Sequence, residues 1–302
     1  MSSVTMPPPG GPQLTTPRPR SRRRKVSNVV ATGVIALTFL IALVPLVFLV
    51  IYVVQQGSKV ISWSFLTDDL PFVDRLPGGG MGPAVVGTLL ITGAAAVMAI
   101  PLGVLGGIYL NEYGGTRPLA RLIRFLAEVM TGVPSIVMGL FIYTLVVLNT
   151  KEKTGFAGAL ALACLMLPIV IRTTDQMLSL VPGELREGSY ALGSRRVRTI
   201  RTVVLPNAAA GIVSGALIAV ARAAGETAPL LFTIGIVRET NTSLFHGQNT
   251  ALSVQIFSNA TSPFVPAQDR AWGAALTLIV IVFLFTIMAR LVTAFFARRQ
   301  AA

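Results

Sequence analysis

Six long stretches of the chain carry little or no charge, and each is bounded by polar or basic segments. A helix needs about 20 apolar residues to cross the hydrocarbon of a bilayer. Membrane-spanning helices are therefore expected at about 29–54, 83–110, 125–150, 154–181, 207–236 and 271–296. The first run, Val29 to Val54, is too long for a signal-peptide core, and Gln55-Gln56-Gly57 follows instead of a small-residue cleavage site. It is expected to stay attached as the first span. Prolines fall inside the first five spans, at Pro45, Pro101, Pro134, Pro168 and Pro229. Each removes a helical hydrogen bond and frees a carbonyl one turn back. Freed backbone at membrane depth is tolerated only where it is buried in protein or faces a cavity. Several broken helices suit a transporter better than a simple anchor. Gly103 and Gly107, and again Gly211 and Gly215, are spaced to let helices approach closely.

The fold class expected is all-α, a polytopic membrane bundle of six spans with both termini on one side. The distribution of basic residues gives the side. Arg18, Arg20, Arg22, Arg23, Arg24 and Lys25 precede the first span, Arg117 and Arg121 follow the second, and Arg186, Arg195, Arg196, Arg198 and Arg201 follow the fourth. Arg298 and Arg299 follow the sixth, while the opposite loops mix a few Lys and Arg with Asp68, Asp69, Asp74, Glu152, Glu239 and Asp269. The positive-inside rule then places both termini in the cytoplasm. Residues 1–27, rich in proline and ending in the basic cluster, read as a disordered tail near anionic headgroups. Residues 28–297 read as one transmembrane domain, with 298–302 as a short cytoplasmic C-terminus and the largest external segments at about 55–80 and 238–270.

Composition agrees with the pattern. Only 12% of residues are charged, against about 25% in soluble domains, too few to cover a water-soluble globule of this size. The net charge of +13 lies in blocks between apolar runs, without interleaved aromatics, so no nucleic-acid partner is expected. One cysteine, Cys164, excludes a disulfide within the chain. Together with one histidine, His246, it leaves no ligand set for a metal. The chain contains neither a phosphate-binding G-x-x-x-x-G-K-[ST] loop nor a G-x-S-x-G elbow. An enzyme is not expected.

The charges inside the spans carry the chemistry. Arg222 and Glu226 lie mid-span, four apart on one helix face. A charge at the bilayer centre costs about 2.5–3.5 kcal/mol, so both must face an interior. They form either a self-neutralising pair that locks helix packing or an anion site. Arginine offers a donor fork matched to an oxyanion. A carboxylate beside it accepts the O–H of hydrogen phosphate but repels fully deprotonated sulfate. Pro229 frees the carbonyl of Gly225, between the two charges. Arg172 and Asp175 form a second pair nearer the inner end, read as an inner relay or gate, or as an arginine snorkelling to headgroups. Glu128 is expected at the start of the third helix in a structural role. Ser135 can donate to an anion or bond its own helix.

The loop after the fourth span is not a plain polar linker. Glu187 and Gly193 flank a helix-compatible segment, a basic run follows, and the chain re-enters the membrane at Leu205-Pro206. A short helix at the membrane face either docks a soluble partner or lies on lipid. The spacing of Glu187, Gly193 and Leu205-Pro206 resembles the EAA motif of ABC importer permeases, with Gly188 and Ser189 in place of the two alanines. Two further stretches, Ala221–Leu231 and Thr131–Phe141, resemble the signatures of phosphate-specific permeases, and Gly107–Tyr113 is also similar. The resemblance covers about residues 30–297 and is to the PstA type rather than the PstC type.

The resemblance implies a type I ABC importer permease of the MetI-like fold, in the bacterial cytoplasmic membrane, translocating inorganic phosphate by alternating access. The alternative is a permease of the same fold for molybdate or sulfate. It implies a coupling helix at about 183–200 that engages an ATPase through Glu187, Gly188, Ser189, Ala191, Leu192 and Gly193. It implies a substrate pathway that includes Arg222, Glu226, Thr227, Arg172, Asp175 and Ser135, with helix breaks at Pro134, Gly225 and Pro229. Expected partners are a homologous PstC-type permease embraced by the first helix, two ATPase subunits that bind ATP and Mg, and a periplasmic or lipid-anchored phosphate-binding protein. No cofactor is expected in this chain.

Overall fold

The computed structural model describes residues 22–301, with side chains described for 24–295. The expected tail up to residue 21, including Arg18 and Arg20, lies outside the described residues, as does Ala302. Every regular element among the described residues is helical. Five helices are long and apolar enough to cross a membrane, or six if a pair bent by 106° counts as one span.

Helix α1 runs from Arg22 to Gly57, so residues 22–27, read as tail from sequence, are helical. Its side chains from Arg24 to Tyr52 are all exposed. The remainder forms one compact unit, Val53–Ala302. It opens with the short α2 (Trp63–Thr67), capped by the Ser62 hydroxyl accepting from the Phe65 N–H at 3.1 Å. Helix α3 (Gly82–Ile108) starts with a proline in its first turn and continues unbroken through Pro101. It ends in a widened π-helical turn, Tyr109–Gly114.

The third expected span is not one rod. Helix α4 (Pro118–Gly132) begins seven residues earlier than the 125 expected, again with proline in its first turn. It stops at Val133-Pro134, where proline disfavours helix for the residue before it. The chain turns by 106° into α5 (Ser135–Ile142), a π-helical turn (Tyr143–Val147) and α6 (Leu148–Thr150). Helix α7 (Gly155–Ser179) is capped by Thr154 and passes through Pro168 without a break. Of the five spans with an internal proline, only the third and the fifth are interrupted at or near it.

Two short helices, α8 (Gly183–Ala191) and α9 (Arg196–Thr199), connect α7 through a π-helical turn (Ile200–Val204) to α10 (Leu205–Ala224). The fifth span then breaks at Gly225–Thr227 and resumes as α11 (Ala228–Thr233). The stretch 238–270, read from sequence as external, holds a buried helix, α12 (Leu252–Ala260). Leu252, Val254 and Gln255 are each at most 1% exposed. Helix α13 (Val265–Ala301) closes the chain and takes in residues 298–301, which the sequence left as a separate terminus.

The core lies among α3, α7, α10, α11 and α12, where Ile91, Ala95, Ala99, Leu162, Met166, Val170, Ala219, Leu230 and Val254 are buried together. Many of these residues are small, which brings the helix axes close. A Cβ at Gly103 would sit 2.6 Å from the Val170 Cβ, and one at Gly107 would sit 2.5 Å from the Thr174 Cβ. On the other side of α7, Gly215 faces Thr173 and Gly211 faces Met177. Both glycine pairs singled out from sequence therefore lie at helix contacts.

At one end of the bundle the loops are stapled by arginines. Arg270, 2% exposed, donates to the carbonyls of Leu76, Gly78 and Asp74 at 2.8, 3.2 and 2.9 Å. Arg238 pairs with Asp74 at 2.9 Å and also donates to the Pro71 carbonyl. The other end carries α8 and α9.

Candidate functional site

The two interrupted spans meet. A Cβ on Gly139 of α5 would fall 2.5 Å from the Cα of Pro229 in α11. Beside this contact is a cavity of about 290 Å³. Its walls are the α4–α5 break (Met130, Thr131, Val133, Pro134, Ser135), the middle of α7 (Leu165, Met166, Ile169) and the end of α10 (Ala219, Arg222, Ala223, Glu226). Thus Arg222, Glu226, Ser135 and the break residue Pro134, separated by up to 92 positions in sequence, line one space. The start of α5 at Ser135, the partly positive end of a helix, forms part of the same wall.

Arg222 and Glu226 form an ion pair, Nε to Oε1 at 3.7 Å, with side chains 71% and 22% exposed. This loose geometry on an open face does not lock packing. It leaves most of the guanidinium fork available. The break behind them is supported from α12. The Ser253 hydroxyl donates to the Glu226 carbonyl at 3.0 Å, satisfying a backbone acceptor that the interrupted helix leaves free. Thr227 is half-buried at the head of α11, where its carbonyl accepts from the N–H groups of Leu230 and Leu231. It does not line the cavity. Gly225 caps α10 and Pro229 sits in the first turn of α11.

The Arg172–Asp175 pair does not form. Asp175 is taken by Arg124 of α4, Nε to Oδ2 at 3.5 Å, and by the Asn111 amide, which donates to its carbonyl at 3.2 Å and to Oδ1 at 3.4 Å. Arg172 instead reaches the Thr131 hydroxyl at 3.5 Å, toward the first cavity. Cross-helix partners override the neighbourhood that a three-residue spacing suggests. Both residues nonetheless line a second cavity of about 220 Å³, with Arg124, Glu128 and Gln176. Glu128 is in the third turn of α4 rather than at a helix start, because the helix begins at Pro118.

The segment after α7 presents a short exposed helix. Glu187, Gly188, Ala191, Leu192 and Gly193 are exposed, and Leu192 is 89% exposed. Ser189 turns inward and shares a hydrogen bond with Thr199 at 2.9 Å. Gly193 adopts φ +77°, a left-handed conformation that ends the helix. The fixed side of α8 is Arg186, whose guanidinium holds buried Glu112 with contacts at 2.9 and 3.2 Å.

Residues 99–301 match the family described as the binding-protein-dependent transport system inner membrane component. The chain belongs to this family. The phosphate transport system permease protein PstA 1 of Mycobacterium tuberculosis (strain ATCC 25618 / H37Rv) is 42% identical over 291 residues, covering 94% of this chain and 92% of that protein. PstA of Mycobacterium leprae (strain TN) is 44% identical over 270 residues, 88% of each chain. PstA of Yersinia pestis is 40% identical over 277 residues, 92% of this chain and 93% of that one. In fold, the chain resembles an inward-facing structure of the MetNI methionine ABC transporter. The TM-score is 0.57 at 19% identity, over 72% of this chain and 94% of that one. The fold is therefore the all-helical, MetI-like permease fold, and the chain is a multi-pass membrane protein.

As a permease of this family, the chain places its chemistry where sequence reading was partly blind. Arg124, Glu112 and Ser253 hold the site together, yet none stands out as a charge within an apolar run. The clearest available signal was Asn111-Glu112, polar residues ending a long apolar helix.

Proposed function

We propose that this chain is the permease subunit of an ATP-driven importer that carries inorganic phosphate across the cytoplasmic membrane by alternating access. The observation that carries the substrate is Arg222 and Glu226 lining the cavity where two interrupted helices meet, together with Ser135 and Thr131. The arginine fork binds phosphate oxygens. Glu226 accepts the remaining O–H of hydrogen phosphate, a contact that sulfate cannot return. The names of the relatives, phosphate transport system permeases, support the same substrate.

The chain performs no covalent chemistry. In this reading both termini are cytoplasmic, and α8 with the exposed Glu187, Ala191 and Leu192 docks an ATPase subunit that binds ATP and Mg. A second, homologous PstC-type permease packs beside this one with α1 reaching around it, and two ATPase subunits drive the pair. A periplasmic or lipid-anchored phosphate-binding protein docks on the loops that Arg238 and Arg270 staple. The inner cavity with Arg172 and Asp175 is the next station on the way to the cytoplasm.

The test is phosphate uptake by the purified complex in liposomes. Arg222→Gln and Glu226→Gln are expected each to lower uptake by at least about tenfold while subunit stoichiometry is kept. Excess sulfate or molybdate leaves wild-type uptake unchanged. Normal phosphate uptake in both variants, or full competition by either oxyanion, overturns the reading.

A further inference from the structure

Arg186 makes five polar contacts across three parts of the fold. Its guanidinium meets Glu112 Oε1 through Nη2 at 2.9 Å and through Nε at 3.2 Å. It donates to the Val181 carbonyl at 2.7 Å and the Leu178 carbonyl at 2.9 Å, just where α7 ends. It also reaches Asn111 Oδ1 at 3.5 Å. The pair is well enclosed, with side chains 18% exposed for Arg186 and 4% for Glu112. A charge pair this enclosed is costly to desolvate and very costly to break. A nine-residue helix is marginal by itself, and this anchor fixes α8 to the end of α7 and to the turn after α3.

Asn111 and Glu112 both lie in the π-helical turn that ends α3. Widened turns of this kind are frequent at functional sites. Here the turn brings two consecutive side chains to the same guanidinium. Asn111 continues the chain of contacts, donating through Nδ2 to Asp175, which pairs with Arg124. A continuous polar path therefore leads from α8 to the wall of the inner cavity.

Resting on the transport reading above, we propose that Arg186 is a positioning residue that converts displacement of α8 into displacement of α3, α7 and the inner cavity. The ATPase moves α8. Arg186 cannot follow without carrying Glu112 and the end of α7, and Asn111 carries the movement to Asp175. The rest of α8 is exposed apart from Ser189, whose hydroxyl bonds Thr199 of the neighbouring short helix, so without Arg186 the helix slides over the bundle instead of moving it.

The experiment uses the complete importer in liposomes and reads phosphate moved per ATP hydrolysed for Arg186→Gln, Glu112→Gln and the double variant. Each single substitution is expected to lower the ratio about tenfold, with ATP hydrolysis and subunit stoichiometry retained. The double variant falls no further than either single, as for two residues acting through one contact. A wild-type ratio in Arg186→Gln, or losses that add, overturns the proposal. If Arg186→Gln does not assemble, Arg186→Lys keeps the charge but cannot bridge carboxylate and carbonyls together. It is expected to show the same loss, and a wild-type ratio there overturns the proposal equally. A wild-type complex that moves a different oxyanion refutes the substrate and not the clamp, since the same ratio is then read with that ion.

Discussion

The Ser253 hydroxyl donates to the carbonyl of Glu226 at 3.0 Å, tying α12 to the point where the fifth span is interrupted. The interruption frees backbone in the bundle interior, and a side chain from a helix 27 positions later satisfies it. The acidic residue of the candidate site is thus positioned through its own main chain.

Ser253→Ala removes that donor and leaves the carbonyl unpaired. A loss of about 1–3 kcal/mol is expected, read as a lower midpoint in thermal unfolding of the detergent-solubilised protein. Ser253→Thr keeps the hydroxyl and is expected to retain most of the stability. Equal midpoints for wild type and the alanine variant would show that the bond contributes nothing.

Gly107→Ala places a methyl 2.5 Å from the Thr174 Cβ and 3.0 Å from the Ile171 carbonyl oxygen. Overpacking of this kind costs about 1–3 kcal/mol. Gly106→Ala, whose new Cβ meets only the flexible Ile171 side chain at 3.2 Å, is the milder control. The unfolding midpoints are expected in the order wild type, Gly106→Ala, Gly107→Ala, from highest to lowest.

Gly193 holds φ +77° with nothing near where a Cβ would go, so only backbone strain opposes substitution. Gly193→Val is expected to cost about 1–2 kcal/mol locally, and Gly193→Asn less. Because α8 is exposed, the readout is faster proteolytic nicking between α8 and α9 with the global midpoint unchanged. A change in the global midpoint alone would contradict this.

Leu192 exposes 89% of its surface at the end of α8. Leu192→Ala is expected to change stability by less than about 0.5 kcal/mol. It is expected to weaken retention of the ATPase subunit by at least about fivefold, as removal of an apolar anchor does. Unchanged retention at wild-type stability would remove Leu192 from the docking surface.

The legible parts of the fold are those where apolar pattern and charge stand in contrast. Arg222 and Glu226 are visible because a bilayer makes a mid-span charge expensive. Glu187, Gly193 and Leu205-Pro206 are visible through spacing. Helix α12 was not legible. Its nine residues include Ser253, Gln255, Ser258 and Asn259, which read as loop. Its buried polar side chains find partners: Ser253 bonds the Glu226 carbonyl at 3.0 Å, Gln255 bonds Thr250 at 3.1 Å and Asn259 bonds the Gln255 amide oxygen at 3.0 Å. Arg124 was missed because it sits one residue before the expected start of a span that begins at Pro118. Its partner Asp175 was then assigned to Arg172 by proximity in sequence. Contacts between helices cannot be read from spacing along one of them.

The two interruptions, at Val133-Pro134 and at Gly225–Thr227, have already given up their ladder bonds. A change of angle at either point strains fewer bonds than it would in an intact helix, the bond from the Glu226 N–H to the Ala223 carbonyl at 3.1 Å among them. Meanwhile α3 and α7, continuous through Pro101 and Pro168, keep their ladders whole. The chain thus alternates continuous helices with joints at which a bend costs little.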